Sequence, residues 1–206
     1  MFFRFGLDVA GVEYDNVSGV FIDEYFQTTN PNIYACGDVA SVFKFTHAAD
    51  WQARLAIRNM FLGDKNRLPQ LLIPWCTYTD PEIAHVGLYE KELDSRNIEY
   101  ETYIRQLPAV DRCVCDGVKA GFVKITCKKG TDEIIGATIV APHAGDMISE
   151  ITVCMHNNIS VSRLAGVIHP YPTTGESIRQ CAAQYNKNFK TPVQQKVLEL
   201  LINKIE

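Results

Sequence analysis

The sequence lacks a long uninterrupted apolar run. Its opening, MFFRFGLDVAGVEYD, is apolar for only a few residues before Arg4 and Asp8 interrupt it. Such a stretch is too short for the apolar region of a signal peptide and far too short to cross a bilayer. The sequence therefore predicts no membrane partner and a cytoplasmic protein, or an organellar one if a longer precursor exists.

An excess of basic charge is also absent. The 20 Lys and Arg residues are outnumbered by 24 Asp and Glu, which gives a formal net charge of -4. No Lys/Arg run is long enough to form a phosphate-binding surface, so nucleic acid is not an expected partner. With 206 residues, 47% of them hydrophobic, the chain can bury one core and part of a second.

The seven cysteines do not form the pattern of a disulfide framework or a zinc site. Their number is odd, which favours buried reduced thiols. Cys113 and Cys115 form a C-x-C without a second pair, and no histidine has metal-ligand spacing. The sequence predicts no metal site and structural or surface roles for His47, His85, His143 and His156.

The first 66 residues read as a strand, glycine turn, helix unit. Short strands are predicted at residues 20–22 and 33–35, the second ending at Gly37 and Asp38. A helix follows over residues 46–62, and Gly63 is a plausible stop. The apolar positions that keep its helical period are Ala49, Ala53, Ala56, Ile57 and Met60.

The polar segment DKNRLPQ predicts a domain boundary near residue 66. Beyond it, LLIPWCTYT, EIAHVGL, EYETYIRQL, GFVKITCKK and IIGATIVA read as strands. Helices are predicted in YEKELDSRN, over residues 144–157, after a Ser160 cap, and from Thr173 or Thr174 to about Asn188. The fold class is therefore α+β, with an antiparallel sheet flanked by helices.

Gly37 and Asp38 are candidate ligand-binding residues. A carboxylate at a strand end, beside a glycine that admits close approach, can accept a hydrogen bond from a hydroxyl-rich ligand. From spacing alone, an ordinary turn explains the pair equally well.

Longer motifs carry a family resemblance. Thr29, Ala35, Gly37 and Asp38 fit T-x5-A-x-G-D, and THAADWQAR and HPYPTTGE follow in the expected order. Together they resemble the pyridine nucleotide-disulfide oxidoreductases, flavoenzymes that include glutathione reductase, dihydrolipoamide dehydrogenase and mercuric reductase. The resemblance covers nearly the whole chain.

The resemblance implies cofactors, domains and a partner. Residues 1–66 would be the last piece of an FAD/NAD(P)-binding α/β domain, 67–190 a dimerisation domain, and 191–206 a helical tail. FAD would lie with a ribityl hydroxyl on Asp38, after Gly37, and its isoalloxazine ring near the backbone of His47 and Ala48. NAD(P)H would be the reductant and a second copy of the chain the partner.

Two motifs of the family are missing from this sequence. It contains neither the G-x-G-x-x-G of the ADP site nor the redox cysteine pair spaced by four residues. We therefore expect a C-terminal portion of such an enzyme, incomplete and inactive alone.

The segment HPYPTTGE holds the candidate catalytic residues. Disulfide-reducing relatives have H-P-x-x-x-E, but the position five residues before Glu176 is Tyr171, and His169 lies two residues earlier. A phenol with a pKa of about 10 is a poor base, whereas imidazole, near 6.5, suits the task. We expect Tyr171 to bind or orient the electron acceptor, Glu176 to orient one of its neighbours, and His169 to support them.

This departure resembles the mercuric-reductase-like branch, although that branch's C-terminal cysteine pair is absent. One alternative is a disulfide reductase of the dihydrolipoamide dehydrogenase or glutathione reductase type, with His169 as base. A second alternative is a noncatalytic dimerisation module.

Overall fold

The computed structural model describes residues 6–68 and 71–188. They fall into two compact units that divide between Ile73 and Pro74. The functional domains expected at 1–66 and 67–190 stay predictions, and the tail expected at 191–206 lies outside the described residues. No helix in the described ranges is both long and apolar enough to cross a membrane.

The first unit is built on one helix and short extended pieces. Strands β1 (Tyr14–Asp15) and β2 (Gly19–Val20) pair antiparallel, and a 3₁₀ turn spans Gly37–Val39. Helix α1 (Thr46–Leu62) ends at Gly63, whose φ of 69° is left-handed, as the sequence predicts. The strand expected at residues 33–35 is only an isolated bridge at Tyr34.

The second unit is a five-stranded antiparallel sheet with helices against it. In chain order its elements are β3 (Trp75–Thr77), β4 (Glu82–Gly87), α2 (Glu90–Ser95), β5 (Tyr100–Gln106), α3 (Asp111–Cys115), β6 (Phe122–Lys128), β7 (Ile134–Ala141), α4 (Ala144–His156), α5 (Val161–Leu164) and α6 (Glu176–Asn188). The spatial order is β3-β4-β7-β6-β5. The α+β class with an antiparallel sheet is confirmed.

The central strand β7 contributes side chains to the middle of this core. Ile139 lies opposite Ala84 of β4 and Val123 of β6, and all three side chains are fully buried. Helix α4 packs on β4 and β7, and α6 packs on β5 and β6. Cys181 of α6 donates its thiol to the Tyr103 carbonyl at 3.2 Å, which fixes this helix over the sheet edge.

His85 is a structural histidine within the sheet. It is buried, and its ring stacks on Tyr89 with centroids 3.6 Å apart. Its Nε2 lies 3.1 Å from the Gly87 carbonyl and its Nδ1 lies 2.9 Å from the Thr138 hydroxyl. Because a carbonyl can only accept, Nε2 donates and Nδ1 accepts. Burial lowers the pKa of His85, which favours this neutral form.

Helix α5 docks on the β6–β7 hairpin through Asp132. The Val161 N–H donates to the Asp132 carbonyl at 2.9 Å, and the Ser162 hydroxyl donates to its carboxylate at 2.5 Å. Hydrogen bonding by the hydroxyls of Ser162, the larger cause, and of Ser160 lowers the pKa of the Asp132 carboxyl group. Ser160 is the N-cap residue of α5, as the sequence predicts, but its hydroxyl makes no cap hydrogen bond and lies 3.0 Å from that of Ser162.

Candidate functional site

The candidate cofactor residues come together in the first unit. Gly37 and Asp38 form the 3₁₀ turn, and His47 and Ala48 lie in the first turn of α1. A Cβ placed on Gly37 would lie 2.9 Å from the Ala49 Cβ, and the φ of Gly37 is +73°. Only glycine permits this close approach of turn and helix.

The chemistry of these residues suits the polar part of a flavin. Asp38 is exposed at the turn, where a carboxylate can accept hydrogen bonds from ligand hydroxyls. Helix α1 begins at Thr46 and packs against this turn, so the positive end of its dipole favours oxygen-rich ligand groups there. His47 is exposed and stacks on Phe45, with centroids 5.5 Å apart. The residues present therefore fit FAD.

Tyr171 is the exposed member of the candidate catalytic residues. Its side chain is 69% exposed, and its hydroxyl donates to Asp111 Oδ2 at 2.9 Å. The Asp111 carboxylate raises the pKa of Tyr171, so the phenol stays protonated at neutral pH. Tyr171 can therefore bind by hydrogen bonding but cannot serve as a base.

His169 has the opposite environment. Its side chain is 8% exposed, and its Nε2 lies 2.7 Å from Glu150 Oε1 of α4. Its Nδ1 lies 3.1 Å from the Val167 carbonyl. Because each ring nitrogen faces an oxygen acceptor, neither is directed at a substrate. His169 and Tyr171 therefore bond to different helices, His169 to α4 and Tyr171 to α3.

Glu176 pairs with a residue of its own helix. Its carboxylate accepts from Arg179 one turn further along α6, at 2.8 Å. The carboxylates that hydrogen-bond to Tyr171 and His169 are Asp111 and Glu150, and the orienting role expected of Glu176 stays a prediction. Sequence reasoning missed both, since they lie 60 and 19 residues from their partners. Asp111 belongs to α3, a helix that the sequence analysis did not predict. No local sequence pattern connects Asp111 with Tyr171.

The described ranges, 6–68 and 71–188, contain no group of three or more His, Cys, Asp or Glu side chains placed to hold a metal ion. All seven cysteines are free thiols, and the two of the C-x-C differ, with Cys113 buried and Cys115 exposed.

Two protein-family models match this chain. A family model for the pyridine nucleotide-disulphide oxidoreductase dimerisation domain matches residues 73–182, and one for pyridine nucleotide-disulphide oxidoreductases matches residues 4–53. The chain belongs to the pyridine nucleotide-disulphide oxidoreductase family. The resemblance identified from the sequence motifs is thereby confirmed.

Individual relatives give the extent of the match. Mercuric reductase of Bacillus cereus is 32% identical over 88% of this chain and 29% of its own length. Mitochondrial dihydrolipoyl dehydrogenase of Bos taurus is 33% identical over 89% of this chain and 36% of its own. The crystal structure of LpdA from Mycobacterium tuberculosis superposes with a TM-score of 0.80 at 29% identity, over 87% of this chain and 39% of that one. The chain spans about a third of the length of these relatives.

Proposed function

We propose that the chain is the C-terminal part of a flavin-dependent NAD(P)H oxidoreductase resembling mercuric reductase. In the complete enzyme, the turn at Gly37 and Asp38 with the start of α1 holds the ribityl side of FAD. Bound FAD would carry electrons from NAD(P)H to the acceptor. Tyr171 binds and orients that acceptor, and His169 supports the loop.

One observation carries this assignment of roles. Tyr171 is the exposed hydrogen-bonding group of the loop, whereas the ring nitrogens of His169 are engaged by Glu150 and Val167. A group that contacts an acceptor must be accessible, and a general base must have a free lone pair. Tyr171 meets the first condition, and His169 does not meet the second in this conformation.

A second candidate is a disulfide reductase with His169 as base. The observation that favours it is the pair formed by His169 and Glu150, because a carboxylate partner can orient an imidazole for proton transfer. This function requires the Val167 contact to open so that Nδ1 can reach a thiol. A noncatalytic dimerisation module remains the third reading.

We also infer a cytoplasmic location, since seven free thiols suit a reducing compartment. Neither nucleic acid nor membrane is part of the proposed function.

The purified 206-residue protein is expected to be colourless. Asp38 and its neighbours supply only the ribityl side of the cofactor, and the glycine-rich pyrophosphate motif is absent from this sequence. The measurement is visible absorbance after gel filtration of protein incubated with FAD, with FAD alone as the control. Flavin eluting with the protein at one equivalent would contradict the expectation.

The chain is expected to form a homodimer through residues 144–188. Val153 on α4 and Ile168 beside the loop are exposed, Ile168 at 95%, and such apolar surface favours a partner. Light scattering at tens of micromolar protein should give the mass of two chains, and Ile168→Asp should give one. Ile104→Asp, on the edge strand β5, is the matched control. A wild-type chain that stays monomeric would refute the prediction.

A further inference from the structure

Gln52 is a fully buried polar side chain on α1, with 0% exposure. Its Oε1 accepts a hydrogen bond from the Gly37 backbone N–H at 2.9 Å, and its Nε2 donates to Ser41 Oγ at 3.2 Å. A buried amide is tolerated when its donors and acceptors are satisfied, as they are here. Gln52 therefore has a specific partner at each end of the segment over residues 37–41, which is called the cofactor turn below because it contains Asp38.

Ser41 extends this connection by two residues. Its Oγ also accepts from the Phe43 backbone N–H at 3.1 Å, and its side chain is buried. One glutamine on a regular helix thus fixes both ends of the segment over residues 37–43. Asp38 lies inside that segment and is exposed.

We propose that Gln52 is a positioning residue for the cofactor turn. It holds the Gly37 N–H and the Ser41 hydroxyl against α1, and so sets the direction in which Asp38 presents its carboxylate to a ribityl hydroxyl. The inference rests on the proposed function, because it assigns the ligand of Asp38 as a flavin. Without Gln52, the Gly37 N–H is buried without its acceptor and the turn rearranges.

The test uses the 206-residue chain and two readouts by NMR. Amide exchange at Gly37 reports the turn, and shifts at Asp38 on titration with millimolar FAD report weak flavin binding. In Gln52→Leu, Gly37 exchange should accelerate about tenfold to hundredfold, and the apparent affinity for FAD should fall by a similar factor. Gln52→Glu keeps an acceptor for Gly37 but loses the donor to Ser41, so exchange at Gly37 should be slower than in Gln52→Leu.

Ser41→Ala removes the hydroxyl that accepts from Gln52 and from the Phe43 N–H. It is the variant to use if Gln52→Leu does not fold. It should accelerate exchange at Phe43 and weaken the FAD-induced shifts at Asp38. Unchanged Gly37 exchange and unchanged FAD shifts in Gln52→Leu would overturn the proposal. A third outcome is faster exchange at Gly37 in Gln52→Leu with no FAD-induced shift at Asp38 in any variant or in the wild type. That outcome would support the contact of Gln52 with the turn but refute the proposed flavin site. Failure of the turn and failure of the flavin site are therefore distinguishable.

Discussion

If the proposed function holds, Tyr171→Phe in the proposed oxidoreductase is expected to lower kcat/KM for the preferred electron acceptor by about tenfold to hundredfold. The change removes one hydroxyl, together with its hydrogen bond to Asp111, and keeps the aromatic ring. The hydroxyl is exposed and, beside Asp111, stays protonated, which suits it to hydrogen bonding with an acceptor. The measurement is steady-state NAD(P)H oxidation with disulfide, quinone and metal-ion acceptors.

His169→Ala and Asp111→Asn are the matched variants for this experiment. His169→Ala should reduce activity less than Tyr171→Phe, because the imidazole contacts Glu150 and Val167. Asp111→Asn keeps a side-chain oxygen that can accept from Tyr171 and should preserve activity. If His169→Ala alone abolished a fast disulfide reductase activity while Tyr171→Phe changed nothing, the histidine would be the base and our assignment would fail.

Ile139→Ala is expected to lower the free energy of unfolding by about 2–5 kcal/mol. Ile139 lies at the centre of β7, fully buried between Ala84 and Val123 of the neighbouring strands. The truncation removes buried apolar surface and leaves a cavity that a five-stranded sheet can close only partly. Urea denaturation followed by circular dichroism measures the change.

Ile104→Ala makes the same chemical change on the edge strand β5. Its side chain is 44% exposed, so we expect a loss of about 0.5 kcal/mol. Equal losses for the two variants would show that the centre of the core does not lie at β7.

The elements of the second unit other than α3 were predictable, because each has one dominant hydrophobic pattern. IIGATIVA is apolar except for Thr138, lies between Glu133 and Pro142, and becomes the central strand β7. The helix predicted over residues 144–157 is observed at Ala144–His156, with Ile148, Ile151 and Cys154 buried. Secondary structure of this kind depends on neighbours in sequence, so a single sequence contains the signal.

Helix α1 forms where its apolar period predicts it, but the period does not identify the whole of its buried face. Its apolar period includes Ile57 and Met60, yet both are exposed, and the buried face holds Ala48, Gln52 and Ala56. The helix packs by close approach to the turn at Gly37, which needs small residues and one satisfied amide. Apolar periodicity cannot identify a face chosen in this way.

The partners of the loop could not be predicted for a different reason. The contacts of Tyr171 with Asp111 and of His169 with Glu150 form only when α3, α4 and the loop pack together. A motif gives the spacing within HPYPTTGE and so pointed to Glu176. Which carboxylate lies nearest each side chain is decided by tertiary packing.

The uneven burial of the free cysteines gives this protein its own reporters of conformational opening. Burial raises the pKa of Cys127 and of Cys181 to about 12, so almost no reactive thiolate forms at neutral pH while the sheet is closed. Cys115, at the surface, is open to a thiol reagent from the start. The delay between labelling of Cys115 and labelling of the two core thiols therefore times how often α6 lifts from the sheet, without any added probe.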